Sequence, residues 1–208
     1  MDENPWYEIS ASDYVSHMSD SHVLQYQMIN RCFEEALRKY HPATLLVPGC
    51  TVGNGFEHIS WKNMEKVVAL DINPFYLKIL DDKFGRYSSL EIVCRDFTEY
   101  ENPGMQFDLI FAALLFEYLE PGQALQKIAS LMHADSLLIV ILQQPSKNHG
   151  KVSKTPYASL EKLSTLMKLV DISAFYQSLK KYGMKVRSDS TEVLDSGKTF
   201  GIFEIGLG

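Results

Sequence analysis

The sequence predicts an α/β protein built on a seven-stranded, mostly parallel sheet, with helices on both faces and an antiparallel hairpin at the C-terminus. Five short apolar runs, of the kind that form buried parallel strands, alternate with stretches of helical periodicity. Two further strand-like runs flank the turn Asp195-Ser196-Gly197, which is a hairpin signal. Strands that alternate with helices and end in a hairpin indicate this fold class.

Length and composition are typical of an ordinary globular domain. The chain has 208 residues, of which 46% are hydrophobic and 22% charged, enough for one full core. The net charge of −6 argues against a nucleic acid as the main partner, because such binding depends on clustered Lys and Arg. The longest apolar runs are too short to span a bilayer, and the first twenty residues lack a basic n-region, so we expect neither a signal peptide nor a membrane partner. Cys32, Cys50 and Cys94 lack metal-ligand spacing, which predicts no metal site and suits a cytoplasmic protein.

The N-terminal part of the chain precedes the first strand. Residues Met1 to Ser19 are aromatic and polar without a helical or strand period, which predicts an irregular terminus packed on the core. From Ser21 to Tyr40 apolar residues recur at spacings of three and four, which predicts an amphipathic helix that ends before Pro42.

The stretch from Thr44 to Asp71 carries the clearest functional pattern. A buried strand over Thr44 to Val47 runs into a turn with glycines at positions 49, 53 and 55, and a helix is expected to begin near Asn54. Unpaired N–H groups at the start of such a helix would face a ligand. A second buried strand, Val67 to Leu70, ends at Asp71, about twenty residues after the glycines, where a nucleotide-binding α/β sheet carries its ribose-binding carboxylate.

The remaining elements follow from local signals. Asn73 and Pro74 start a helix that stops at Gly85, and Pro121 opens another that carries Met132 on its apolar face. The other predicted elements are the strands Leu90 to Cys94, Phe107 to Ala112, Ser136 to Leu142, Met184 to Ser188 and Thr199 to Leu207, a loop over Ser146 to Ala158, and helices over Ser159 to Val170 and Asp171 to Tyr182.

Four segments resemble the motifs of the class I S-adenosylmethionine-dependent methyltransferases, whose Rossmann-like fold is the one predicted above. They are VPGCTVGNG, VVALD, VCRDF and FDLIFAALLFEYL. The glycines of the family's first motif fall on Gly49 and Gly53. Two positions depart from it: Val47 replaces the acidic residue before the first glycine, and Thr51 replaces the middle glycine.

The resemblance implies S-adenosylmethionine as the cofactor and assigns its contacts. Asp71 would bind the ribose hydroxyls and Asp96 the adenine amino group. The full set of implied cofactor-binding residues is Gly49, Cys50, Gly53, Asn54, Asp71, Ile72, Asp96, Phe97 and Ala113.

The resemblance also implies a layout for the acceptor side. The chain would be one domain over 1–208, with an N-terminal lid and helix over 1–43, a cofactor-binding core over 44–208 and a substrate-side insertion over 146–182. In the family, N-terminal segments often fold over the cofactor, so Met1 to Ser19 is either such a lid or simply a terminus packed on the core. Tyr14 and His17 are the candidates for a general base, whereas Glu117 is expected to be a solvated charge at a helix start.

The acceptor is expected to be a small molecule. The N/D-P-P-Y motif used on planar nitrogens of bases and amides is absent after the fourth strand. A second hypothesis is a non-catalytic methyltransferase-like protein that has lost the cofactor, as Val47 and Thr51 would suggest. A third, a nucleotide-binding oxidoreductase, is disfavoured because the G-x-G-x-x-G pattern fails at His58 and because a terminal hairpin does not suit that fold. The sequence does not indicate which oligomeric state the protein adopts.

Overall fold

The computed structural model describes residues 4–101, 104–145, 150–153 and 155–208, which form a seven-stranded sheet with the strand order β3-β2-β1-β4-β5-β7-β6. The strands are β1 Thr44–Pro48, β2 Lys66–Asp71, β3 Leu90–Cys94, β4 Phe107–Ala113, β5 Met132–Gln143, β6 Met184–Val193 and β7 Thr199–Leu207. The α-helices are α1 Ala11–Ser19, α2 Gln25–Tyr40, α3 Pro74–Phe84, α4 Pro121–Ser130, α5 Ala158–Glu161, α6 Leu163–Leu166 and α7 Ile172–Lys181.

The pairing of the strands confirms the predicted fold class. β1 to β5 pair in parallel, whereas β7 runs antiparallel to both β5 and β6. Gln143, at the end of β5, pairs with Phe200 near the start of β7. The first residues of β7 therefore lie at the same edge of the sheet as the carboxyl ends of the parallel strands.

Both faces of the sheet are covered by helices. Successive residues of a strand point to opposite faces, and Leu45 and Leu46 of β1 accordingly belong to different hydrophobic clusters. One cluster is completed by apolar residues of α2 and α3, and the other by apolar residues of α4 and α7. Strands buried on both faces explain the unbroken apolar runs of the sequence.

The strand order reverses beside β1. The chain adds β2 and β3 on one side of β1 and then returns to add β4 and β5 on the other. In an open α/β sheet such a switch leaves a crevice outside the carboxyl ends of the strands, where ligands bind. The loop after β1 and the end of β4 border this crevice.

The prediction that a helix begins near Asn54 is wrong. Only two 3₁₀ turns, Phe56–His58 and Trp61–Asn63, lie between β1 and β2 in this fully described segment. Gly53 and Gly55 take φ values of 80° and 86°, which a right-handed helix does not allow. The segment is held instead by aromatic packing, with Phe56 and Trp61 among its contacts.

Other boundaries also differ from the predictions, and β6 runs on to Val193 beyond the predicted end at Ser188. The N-terminal segment contains α1, whose start is capped by Ser10 accepting a hydrogen bond from the N–H of Asp13. The helix predicted over Ser159 to Val170 is divided into α5 and α6. Met132 begins β5 and pairs with Phe107 instead of extending α4. The predicted loop over Ser146 to Ala158 falls partly outside the described residues.

No helix in the described part of the chain is both long and apolar enough to cross a membrane.

Candidate functional site

A cavity of about 160 Å³ lies at the carboxyl ends of the parallel strands, in the predicted crevice. Its walls come from the ends of β2, β4 and β5, the loops after β1 and β3, the N-terminal segment, residues 151–153, and apolar residues between 160 and 167. Among the residues assigned from the sequence, those that line the cavity are Tyr14, His17, Gly49, Asp71, Ile72, Asp96, Phe97 and Ala113.

Asp71 ends β2 inside this cavity with only 7% of its surface exposed. Its Oδ2 accepts a hydrogen bond from the N–H of Thr51 at 2.9 Å, and its Oδ1 accepts one from the N–H of Asn73 at 2.9 Å. Burial raises the pKa of the Asp71 carboxyl, and these backbone donors act against that rise. A carboxylate has about four acceptor positions, so each oxygen keeps capacity for a further donor such as a ribose hydroxyl.

Asp96 lies beyond the end of β3 and borders the same cavity. Its Oδ1 accepts hydrogen bonds from the N–H and the hydroxyl of Thr98, at 2.7 and 2.6 Å, and so caps the 3₁₀ turn Phe97–Glu99. Phe97 in this turn is 2% exposed. The turn thus fixes a carboxylate and an aromatic ring side by side at one end of the cavity.

The glycine-rich turn contributes only part of its predicted set. Gly49, at φ 70°, lines the cavity, and a Cβ there would lie 3.3 Å from Leu115. Cys50 is a buried packing residue, Gly53 packs against α3, and Asn54 donates a 3.0 Å hydrogen bond to the carbonyl of Tyr26. These three residues lie outside the cavity lining and hold the turn in place.

Thr51 occupies the middle place of the turn, where the family has glycine. It lines the cavity and takes a φ of 49°, in the left-handed region that β-branched residues rarely adopt. Its N–H donates a 2.9 Å hydrogen bond to Asp71. The turn therefore keeps the glycine-like backbone with a threonine in it.

The N-terminal segment closes the cavity, as a lid would. Trp6 packs edge-on against Tyr118 with ring centroids 5.0 Å apart, and its carbonyl accepts a 2.9 Å hydrogen bond from the side chain of Asn73. Asp13 accepts a 2.9 Å hydrogen bond from Ser159. This placement is consistent both with a lid and with a terminus packed on the core, so the choice between them stays a prediction.

The two candidate bases differ in their electrostatics. Burial, followed by the charge of Asp71, raises the pKa of Tyr14 far above its usual range, so its hydroxyl stays protonated at neutral pH. Burial, followed by the charge of Lys198, lowers the pKa of His17, so its imidazole is neutral at pH 7. Of the two, only His17 can accept a proton there.

Glu117 corrects a prediction, because it is fully buried instead of solvated. Its Oε1 accepts a 2.7 Å hydrogen bond from the N–H of Gln143, whereas its Oε2 has no partner among the described residues. Burial raises the pKa of Glu117 to about 7. The side chain thus ties the segment after β4 to the end of β5.

Sequence reasoning missed two of the buried polar groups that line the cavity, Gln25 and Lys198, whereas it had proposed Gln143 as either a contact to a polar substrate or a cap on the edge of the sheet. Gln25, Gln143 and Lys198 line the cavity and are at most 5% exposed. Lys198 follows the turn of the terminal hairpin, a position at which a lysine is ordinarily on the surface, so no local signal distinguishes it. Among the described residues, no group of His, Cys, Asp and Glu has a metal-binding arrangement.

Comparison with known proteins agrees with this geometry. A family model described as a methyltransferase domain matches residues 45–140. The magnesium protoporphyrin IX methyltransferase of Synechocystis PCC 6803, solved with bound SAH, superposes with a TM-score of 0.67 at 13% identity over 91% of this chain and 86% of that one. An S-adenosylmethionine-dependent methyltransferase of Leishmania major gives a TM-score of 0.70 at 12% identity over 97% of this chain and 80% of that one.

The fold and the matched segment define the class. Residues 45–140 match the methyltransferase-domain model, and the fold around them is that of the class I S-adenosylmethionine-dependent methyltransferases. The resemblance noted in the sequence is thereby confirmed, and S-adenosylmethionine is the cofactor of that class.

A shorter match comes from a curated relative. A protein of Methanosarcina barkeri (strain Fusaro / DSM 804), described as a probable ribosomal RNA small subunit methyltransferase A, is 33% identical over 66 residues. The match covers 32% of this chain and 22% of that protein.

Proposed function

We propose that the protein transfers a methyl group from S-adenosylmethionine to a small-molecule acceptor enclosed beneath the N-terminal segment. The observation that carries this proposal is the meeting of Asp71 and Asp96, at the ends of adjacent strands, in one cavity closed by Trp6 and Tyr14.

The residues of the cavity fit the cofactor. Asp71 would accept hydrogen bonds from the ribose hydroxyls with the lone pairs that its backbone donors leave free. Asp96 would accept from the adenine amino group, and Phe97 would lie against the ring. Gly49 lets the main chain approach the ligand. Ile72 and Ala113 complete this proposed set, while Cys50, Gly53 and Asn54 would act through the shape of the turn.

The cofactor, when bound, would supply a methyl group attached to a sulfonium, from which a neutral thioether is a good leaving group. The work left to the protein is to orient the acceptor and to exclude water. Trp6 packs against both Tyr14 and Tyr118, and these rings would close the cavity against solvent. His17, as a neutral imidazole, would take a proton from an acceptor that must lose one.

A small acceptor is supported by the enclosure of the cavity and by the charge of the chain. The net charge of −6 opposes a phosphate backbone, and the RNA methyltransferase relative matches only part of this chain. The alternative acceptor is RNA, and the experiment below distinguishes it from a small molecule.

A cofactor-free, non-catalytic protein is the second candidate, favoured by Thr51. A threonine at a φ of 49° carries a strain on the order of 1–3 kcal/mol. If ligand binding required further movement of this turn, affinity for the cofactor would be low.

Transfer of label tests the proposal. The protein is incubated with S-adenosylmethionine labelled at the methyl group, together with either the small-molecule or the RNA fraction of a cell extract. We expect time-dependent label in the small-molecule fraction. Label confined to RNA would refute the acceptor class, and failure to bind S-adenosylmethionine would favour the second candidate.

A further inference from the structure

Lys198 is a buried cation without a carboxylate partner among the described residues. Only 3% of the surface of Lys198 is exposed. Nζ donates hydrogen bonds to the Oε1 of Gln143 at 3.3 Å and to the carbonyl of Lys151 at 2.9 Å, and both of these acceptors are neutral. In the described segments, the ion pairs involve other lysines.

Burying an ammonium group without a counter-charge is costly. Burial accordingly lowers the pKa of Lys198 to about 8, which leaves it mostly charged at pH 7. An ammonium has three N–H donors, of which two have partners here. Among the described residues nothing takes up the third donor or balances the charge, so both are available to a ligand in the cavity that Lys198 lines.

The strand order places Lys198 away from the cofactor end. β7 lies four positions from β2 in the sheet, and neighbouring strands are about 4.8 Å apart. Lys198, just before β7, is therefore separated from Asp71 by roughly 19 Å. A cofactor bound at the carboxyl ends of β2, β1 and β4 would not occupy the region around Lys198, which is therefore available to the acceptor.

Other polar groups converge on the same end. His17 comes from α1, Gln25 from the start of α2 and Gln143 from the end of β5, and each is at most 7% exposed. The charge of Lys198 contributes to lowering the pKa of His17, in keeping with their proximity. The N-terminal helices and the end of β5 thus bring hydrogen-bonding groups to the cavity that Lys198 lines.

We propose that Lys198 binds a carboxylate of the methyl acceptor, with His17 and Gln25 as its neighbouring hydrogen-bonding groups. The proposal rests on the proposed function and specifies its substrate class. A carboxylate matches a single ammonium charge. A phosphate dianion would need a second buried cation, and among the described residues Lys198 is the only buried lysine or arginine.

Matched acids and amides test this assignment. Protein saturated with S-adenosylhomocysteine is screened by ligand-observed NMR against small aromatic and aliphatic carboxylates, each paired with its primary amide. The variants are Lys198→Met, which removes the charge, and Lys198→Gln, which keeps a hydrogen-bonding group. Lys185→Met, an exposed lysine of the same hairpin, is the matched control.

We expect the wild type to bind acids at least tenfold more tightly than their amides. Both Lys198 variants should lose this preference, and Lys185→Met should keep it. The affinity of every variant for S-adenosylhomocysteine should stay within threefold of the wild-type affinity. Failure of this proposal can therefore be told apart from failure of the proposed function. Equal binding of acids and amides by the wild type, an unchanged preference in Lys198→Gln, or binding of S-adenosylhomocysteine without any carboxylate would overturn the proposal.

Discussion

The backbone N–H of Thr51 donates a 2.9 Å hydrogen bond to the Oδ2 of Asp71, and Thr51 makes this bond from a left-handed conformation with φ 49°. A hydrogen bond to a charged group contributes about 1.5–3 kcal/mol, a range that overlaps the cost of the strained backbone. The carboxylate that would bind the ribose therefore also stabilises the turn in which threonine replaces the family's glycine.

Replacing Asp71 is expected to lower stability as well as cofactor affinity. In Asp71→Asn one acceptor oxygen becomes an NH₂ group, which cannot accept from the N–H of Thr51 or Asn73. We expect a loss of about 1–3 kcal/mol in the free energy of unfolding, measured by urea denaturation. Asp82→Asn, at an exposed position of α3, should change it by less than about 0.5 kcal/mol. Equal stabilities for the two variants would show that the Thr51 contact contributes nothing.

Glu117 should make the protein less stable as the pH rises towards neutrality. Its folded pKa of about 7 lies above the ordinary value of 4.5. The protonated group's contribution is therefore fully present below pH 4.5 and is lost as pH rises through 7, on the order of 3 kcal/mol in total.

Glu117→Gln imitates the protonated acid and should remove this dependence. Its unfolding free energy should exceed that of the wild type at pH 8 and approach it at pH 4.5, with Glu65→Gln at an exposed site as the control. A constant difference between Glu117→Gln and wild type across this range would mean that Glu117 does not titrate as described.

The tryptophans provide a test of the lid. The chain has two: Trp6 lines the cavity, whereas Trp61 stacks on Tyr87 with ring centroids 4.3 Å apart. In Trp61→Phe the emission comes from Trp6 and should change when S-adenosylhomocysteine is added. In Trp6→Phe it comes from Trp61 and should stay constant. A response from Trp61 alone would place the ligand away from the N-terminal segment.

Much of the sheet could be predicted because buried parallel strands leave a local signature. Each strand from β1 to β5 contains an apolar run, and Asp71 at the end of β2 and Asp96 just beyond β3 were expected at the edge of the sheet where they lie. The prediction of a helix after β1 was wrong because the glycines that indicated a ligand-binding turn adopt positive φ values, which an α-helix does not allow. α1 was missed although Ser10 and Asp13 have capping-box spacing.

The acceptor side could not be predicted, because its burial comes from contacts between distant segments. Glu117 is enclosed by Gln143 and by the N–H of Lys168 on its carbonyl, neither of which is near it in sequence. Lys198 is buried by Lys151 and Gln143. A charged residue beside a turn has the same local sequence whether or not another segment covers it.

Calorimetric titration of the wild-type protein with S-adenosylmethionine and with S-adenosylhomocysteine tests the central claim most directly. We expect a single site for each ligand. Asp71→Asn should weaken it by roughly tenfold to a few hundredfold, the loss of a charge-assisted hydrogen bond, and Asp82→Asn should leave it unchanged. Absence of heat from the wild type at millimolar concentrations of both ligands would contradict the claim that this cavity holds the cofactor.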